Sequence, residues 1–175
     1  VLSVLAMTVA VAAQPAYVWR EAETADEANF DLKTSGGPPE VVSEGKLLVG
    51  SLTDQEVAEG KIGAGRQLVY NLKVAQAGSY HLWIRLGLEF VRAPLNWRID
   101  QGEWKTISPQ DLTTNLTALG TWYEIGWYDC GALDLTAGTH VLELLADKPN
   151  GKRFLLALDV IALVQRKGIE ACLRG

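Results

Sequence analysis

Alternation with a period of two dominates the middle of the chain. From Ser79 to Glu89, Tyr80, Leu82, Ile84, Leu86 and Leu88 fall on one face, with His81, Trp83, Arg85 and Glu89 on the other. Asn96 to Asp100 alternates too, and Gln101-Gly102 predicts a reversal into Glu103–Ile107, a hairpin. Gln67–Val74 and His140–Leu145 have the length and composition of strands, and the turns Ala77-Gly78 and Ala137-Gly138 each introduce one. Phe154–Val164 is an apolar run broken only by Asp159, as expected of a central strand covered on both faces. Asp54–Lys61 alone has a helical composition, and it is too short to form a layer. Eight or more short strands between Gly, Pro, Asp and Asn turns predict an all-β fold, an antiparallel β-sandwich.

Composition narrows the classes of function. A chain of 175 residues is expected to hold one domain, and 48% hydrophobic with 21% charged residues excludes wholesale disorder. Sixteen Lys and Arg against 21 Asp and Glu give a net charge of −5, with no basic run. Neither nucleic acid nor an anionic membrane surface is an expected partner, because neutralising several phosphates takes clustered cations. Cys130 and Cys172, the two cysteines, exclude a Cys-built zinc site and a disulfide-dense scaffold.

Residues 1–13 are almost wholly apolar and uncharged, yet too short to span a bilayer, which takes about 20 residues. They read as the apolar stretch of a signal peptide, with Val11 and Ala13 before a cut at Gln14. The expected setting is therefore secreted or extracytoplasmic, with no membrane span in the mature chain. The sandwich is expected over residues 17–165. Residues 166–175 read as a linker or the start of a following domain.

Catalytic patterns are missing. His81 and His140 both fall in strands, no nucleophile–base motif or phosphate loop is present, and a small sandwich offers little depth for a buried carboxylate pair. A non-enzymatic role follows. Two features remain. Glu21 and Glu23 alternate onto one face of the predicted first strand, and Asp159 interrupts the apolar run. Like charges that close, and a carboxylate that buried, need neutralising, either by a hard cation such as Ca²⁺ or by a basic side chain and backbone N–H groups. Six Trp against three Phe is the other feature. Trp97 falls in phase with the core, while Trp83 shares an outer face with Arg85. Flat indoles beside polar side chains suit either sugar stacking or rim packing.

The segments Val18-Trp19-Arg20-Glu21-Ala22-Glu23, Ser43–Gly50 and Val74–Arg85 resemble the carbohydrate-binding modules of families six and thirty-five. Thr121-Trp122 with Trp127, Leu135–His140 and Leu158–Ile161 extend the resemblance from Val18 to Val164. It implies a galactose-binding-like jelly roll with a structural Ca²⁺ held by Glu21, Glu23 and Asp159, helped by a carbonyl near Gly45 or Lys46. It also implies a non-catalytic module that binds a poly- or oligosaccharide and serves an attached catalytic or surface domain. Trp122 matches the loop Trp that stacks on sugar in the family. Ala157 stands where the family carries an Asn, so Asn150, or the sheet face bearing Trp83, Arg85 and Trp127, is the expected substitute. The alternative is a spacer or interaction sandwich that has lost sugar binding.

Overall fold

A computed structural model describes residues 17–87, 94–107, 114–120, 123–149 and 153–165. Twelve strands lie among them: β1 (Tyr17–Glu21), β2 (Glu27–Ala28), β3 (Lys33–Gly36), β4 (Lys46–Leu52), β5 (Arg66–Val74), β6 (Gly78–Gly87), β7 (Leu95–Ile99), β8 (Lys105–Ile107), β9 (Thr114–Gly120), β10 (Tyr123–Leu135), β11 (Gly138–Ala146) and β12 (Phe154–Gln165). Their pairings are antiparallel. The larger sheet runs β3-β4-β12-β6-β10-β9 with β1 also on β12, and the smaller runs β2-β5-β11-β7-β8. This is the antiparallel sandwich that the alternation predicts.

The core is the sum of the two inward faces. Leu82, Ile84, Leu86, Leu158, Ile161 and Leu163 come from the larger sheet, while Leu68, Tyr70, Leu72, Trp97, Leu142 and Leu144 come from the smaller, all at most 2% exposed. Trp97 is thus a core residue. Each such side chain contributes about 1.5–3 kcal/mol by leaving water. α1 (Asp54–Ala58) is one short turn closed by a capping box between Thr53 and Glu56, and Val57 alone is buried from it.

Strand β12 is central, as its long apolar run predicts. Along its first half, Phe154–Leu158, it pairs with β4; along its second, Val160–Val164, with β1. Between them the register on β6 slips, so that Leu158 faces Leu86 and Val160 faces Arg85. Asp159 is the extra residue of that bulge. Bulges bend a strand and re-aim its side chains, and here the bend coincides with the exchange of neighbours.

Two local expectations are corrected. Glu21 and Glu23 do not alternate along one strand. β1 ends at Glu21, and Ala22–Thr24 wind into a single 3₁₀ turn. Two bonds draw the chain out of the sheet there: the Thr24 hydroxyl donates to the Glu21 carbonyl at 2.7 Å, and the buried Tyr70 hydroxyl donates to the Ala22 carbonyl at 2.7 Å. The β7–β8 reversal centres on Asp100 and Gln101, not Gln101-Gly102. Both have positive φ, 50° and 59°, and Gly102 N–H closes the turn on the Ile99 carbonyl at 2.9 Å. Asp100 is held in the left-handed region by contacts to the neighbouring strand, its carboxylate accepting the Val141 N–H at 2.8 Å and meeting His140. Cys130 is a free cysteine, and Cys172 lies outside the described residues.

Candidate functional site

The bulge aims the Asp159 carboxylate at the outer side of the larger sheet, where it is 0% exposed. Its Oδ1 accepts the Ser43 backbone N–H at 3.1 Å, and its Oδ2 accepts Nη1 of Arg85 at 3.0 Å. Arg85 also donates to the Val41 carbonyl at 2.6 Å, so one guanidinium ties β6 to β12 and to the segment before β4. The Ser43 hydroxyl donates to Oε1 of Glu21 at 2.8 Å, which joins a second acid to the network. Burial pushes the Asp159 carboxyl up to about 6, against the opposing pull of Arg85 and the Ser43 N–H, and Glu21 adds to the upward push.

Of the two neutralisations open to Asp159, the described side chains supply the basic one, Arg85 with a backbone N–H. Among the described residues no group of three or more His, Cys, Asp or Glu gathers closely enough to hold a metal ion. Part of the acidic set nevertheless fits a hard cation. Oε2 of Glu21 and Oε2 of Glu23 are buried without a hydrogen-bond partner. An orphaned carboxylate oxygen is costly, and oxygen donors are what Ca²⁺ takes.

An indole layer covers this network. Trp19 donates from Nε1 to Glu21 Oε1 at 2.7 Å and meets Trp127 edge-on, with centroids 5.7 Å apart. The Arg85 guanidinium lies 5.7 Å from the Trp127 ring centroid. Arg85 and Trp127, both expected at the sugar, are therefore engaged with Asp159 and with each other. Trp83 is freer. It faces outward, half-buried, with its ring 6.5 Å from His81, which contacts Asp129 at 3.3 Å. Tyr17 and Trp19 remain 55% and 46% exposed beside it. Trp122 and Asn150 lie outside the described residues.

The opposite side of the sandwich carries a cleft of about 530 Å³ across the outer face of the smaller sheet. One register row builds its floor, Glu27 on β2 beside Val69 on β5, beside Glu143 on β11, beside Arg98 on β7. Arg98 grips Glu143 with two bonds, Nε to Oε2 at 2.6 Å and Nη2 to Oε1 at 2.9 Å, and Gln67 Nε2 adds a third at 3.1 Å. Trp104, 41% exposed, holds its ring 4.4 Å from the Arg98 guanidinium. The result is a fixed array of planar polar groups beside a partly bare indole. Sequence reasoning missed it, although the signal was there. With Trp97 in the core, Asn96 and Arg98 must face out, and Glu143 is the one charge inside His140–Leu145.

No family model matches the chain, and no curated protein does. Solved structures do. A family 35 carbohydrate-binding module from Clostridium thermocellum matches with a TM-score of 0.53 at 14% identity, over 85% of this chain and 98% of that one. The C-terminal family 6 carbohydrate-binding module of LamC, a marine laminarinase from Zobellia galactanivorans, matches with a TM-score of 0.50 at 15% identity, over 85% and 99%. The insecticidal crystal protein Cry2Aa matches with a TM-score of 0.58 at 16% identity, but the chain spans only 22% of its length. At these identities the likeness is one of fold. The chain has the β-sandwich fold of the family 6 and family 35 modules.

Removing Arg85 leaves Asp159 buried and unpaired, which costs about 3–5 kcal/mol. Arg85→Ala is expected to lose that much stability in urea denaturation. Arg85→Ala/Asp159→Ala should lose less than the two single losses combined, and additive losses would show that the pair is not coupled.

Proposed function

We propose that the chain is a non-catalytic carbohydrate-binding module of an exported protein, and that the cleft on the smaller sheet receives the sugar. The observation that carries this reading is the array of Arg98, Glu143 and Gln67, held rigid by its own hydrogen bonds, beside Trp104. Sugar recognition asks for directional donors and acceptors to the hydroxyls and a flat apolar surface for the C–H face. Preorganisation limits the entropy lost on binding. The sandwich fold, shared with the family 6 and family 35 carbohydrate-binding modules, supports the same reading. Such a module acts by raising the local concentration of whatever domain it is joined to on a polysaccharide, for which modest affinity suffices. The uncharged apolar stretch at residues 1–13 supports export.

Of the trio Glu21, Glu23 and Asp159 expected to hold a structural calcium ion, this reading keeps Glu21 and Glu23, supported by their two buried carboxylate oxygens that lack partners, while Asp159 is held by Arg85 and the Ser43 N–H. When bound, such an ion supplies positive charge and oxygen coordination. The chain's own part is to bring Glu21 and Asp159 together on Ser43. The second reading is a spacer or interaction sandwich, favoured by the exposed Tyr17 and Trp19, a surface suited to packing against a neighbouring domain.

Screening against plant, algal and animal glycans, followed by calorimetry, tests the sugar reading. Trp104→Ala is expected to weaken binding about tenfold, roughly 1.4 kcal/mol, while Trp83→Ala leaves it unchanged. Binding to none of the glycans would favour the spacer. Chelation tests the metal. An ion at a hundred times its Kd adds about 2.7 kcal/mol, so EDTA is expected to lower Tm by roughly 5–10 °C. Glu23→Gln should remove that shift, and equal Tm values with and without chelator would refute the ion.

A further inference from the structure

The inward row of β11 begins with a residue that is not apolar. Leu142, Leu144 and Ala146 enter the main core, and alternation puts His140 on the same inward face, where it is 8% exposed. Both of its ring nitrogens meet acceptors. Nδ1 meets Oδ2 of Asp100 at 2.5 Å, from the β7–β8 turn, and Nε2 meets the Thr136 carbonyl at 2.9 Å, from the β10–β11 turn. A neutral imidazole carries one N–H and one bare nitrogen, so one of those oxygens would face a lone pair. The imidazolium alone donates to both. On the flanking strand β5, Leu72 stands beside His140, and Lys73 pairs with Thr139 and is exposed. Among the described residues, Asp100 is the one charge that acts on the ring. Burial pulls the pKa of His140 down, but the hydrogen bonds to Asp100 and Thr136 and the Asp100 charge outweigh it, so it lies above the ordinary 6.5.

Asp100 also belongs to the polar cleft. With Gln101 and Val141 it lines one end, and Trp104 follows four residues later, across the same reversal. That reversal needs holding. Asp100 and Gln101 both have positive φ, uncommon for residues with a side chain, and β8 beyond them is a three-residue strand at the sheet edge. Three contacts fasten the turn to β11. The Asp100 N–H donates to the Val141 carbonyl at 2.9 Å, the Val141 N–H donates to Oδ1 at 2.8 Å, and His140 takes Oδ2. Only the last of these loses its donor near neutral pH. We propose that His140 is a positioning residue for the cleft, whose imidazolium clasps the β7–β8 turn and whose deprotonation releases Asp100 and Gln101 at the cleft and Trp104 beside it. The clasp is fully present below the ordinary histidine pKa of about 6.5 and is lost as the pH rises through the raised value. The inference deepens the sugar reading and rests on it only for what the cleft receives. It makes the grip of that cleft stronger in mildly acidic than in alkaline solution.

NMR of the whole chain reads the clasp without any sugar. Long-range 1H–15N spectra are expected to show both His140 ring nitrogens protonated at pH 5.5, with one proton lost as the pH is raised to 9. The Gln101 Cα signal and the Trp104 ring C–H signals should shift with the same midpoint. Asp100→Asn keeps an oxygen for the Val141 N–H but removes the countercharge, so His140 should titrate roughly one pH unit lower. His140→Gln should abolish the titration of the turn signals, which separates them from His81, the chain's other histidine, on the larger sheet. Should His140→Gln misfold, the shifted midpoint in Asp100→Asn makes the same separation. A single protonated ring nitrogen at pH 5.5, turn signals that stay put while His140 loses its proton, or an unaltered His140 midpoint in folded Asp100→Asn would overturn the clasp. Cellohexaose and xylohexaose, titrated at both pH values, test the grip. Binding that moves the Gln67 and Glu143 signals should be about fivefold weaker at the higher pH, and equal affinity at the two would overturn the positioning role. Binding of neither sugar, with the turn signals still following His140, supports the clasp and counts against the sugar reading alone.

Discussion

A carboxylate that no water reaches sits at the point where the longest buried strand exchanges one neighbour for another. Burying such a charge without partners costs several kcal/mol, so the surroundings of Asp159 cannot be arbitrary. Arg85 must reach it from β6, and the Ser43 N–H must reach it from the segment before β4. Both requirements fix backbone. The segment leading into β4 is pinned to the outer side of the sheet, the Val41 carbonyl is drawn onto the same guanidinium, and β1 is held at the place where Glu21 shares Ser43. The bulge, the change of strand partner and the indole cover over Arg85 all meet at this one polar group in an apolar strand.

That constraint divides the surface by chemistry. On the larger sheet, several polar groups near the bulge are engaged with one another: Trp19 with Glu21, Arg85 with Asp159 and Val41. The sheet also leaves open the recess over Ala157 and the rings of Tyr17 and Trp19. On the smaller sheet, the charged pair Arg98–Glu143 lies on the outer face beside an open cleft, and its geometry is fixed by Gln67 and by contact with Trp104.

The sequence made the layers legible because alternation is a direct record of which face is buried. Tyr80 to Leu86, Trp97 and the run from Phe154 all fall where their period puts them. Less legible was everything set by a contact distant in sequence. Nothing near Glu21 says that β1 ends there; the cause includes the Tyr70 hydroxyl, which captures the Ala22 carbonyl. The positive φ at Asp100 and Gln101 depends on Val141 and His140, residues of another strand. Asp159 announced itself as needing a partner, and Arg85 lay on the outward face of its own strand, but the bulge that joins them leaves no periodic trace. Trp127 and Arg85 read as ligand residues in the sequence, and their engagement with each other and with Asp159 has no sequence signal, because indoles beside guanidinium groups serve stacking and packing alike.

Ser43 reports on this account most directly. Its N–H donates to Asp159 from a short 3₁₀ turn outside the strands, where an amide without such a partner exchanges with solvent quickly. Native-state hydrogen exchange should show the Ser43 amide protected to nearly the level of the β12 core amides, with that protection lost in Arg85→Ala while amides of β11 keep theirs. A Ser43 amide that exchanges as fast as exposed turn amides in the wild-type protein would contradict the claim that the buried carboxylate organises this side of the molecule.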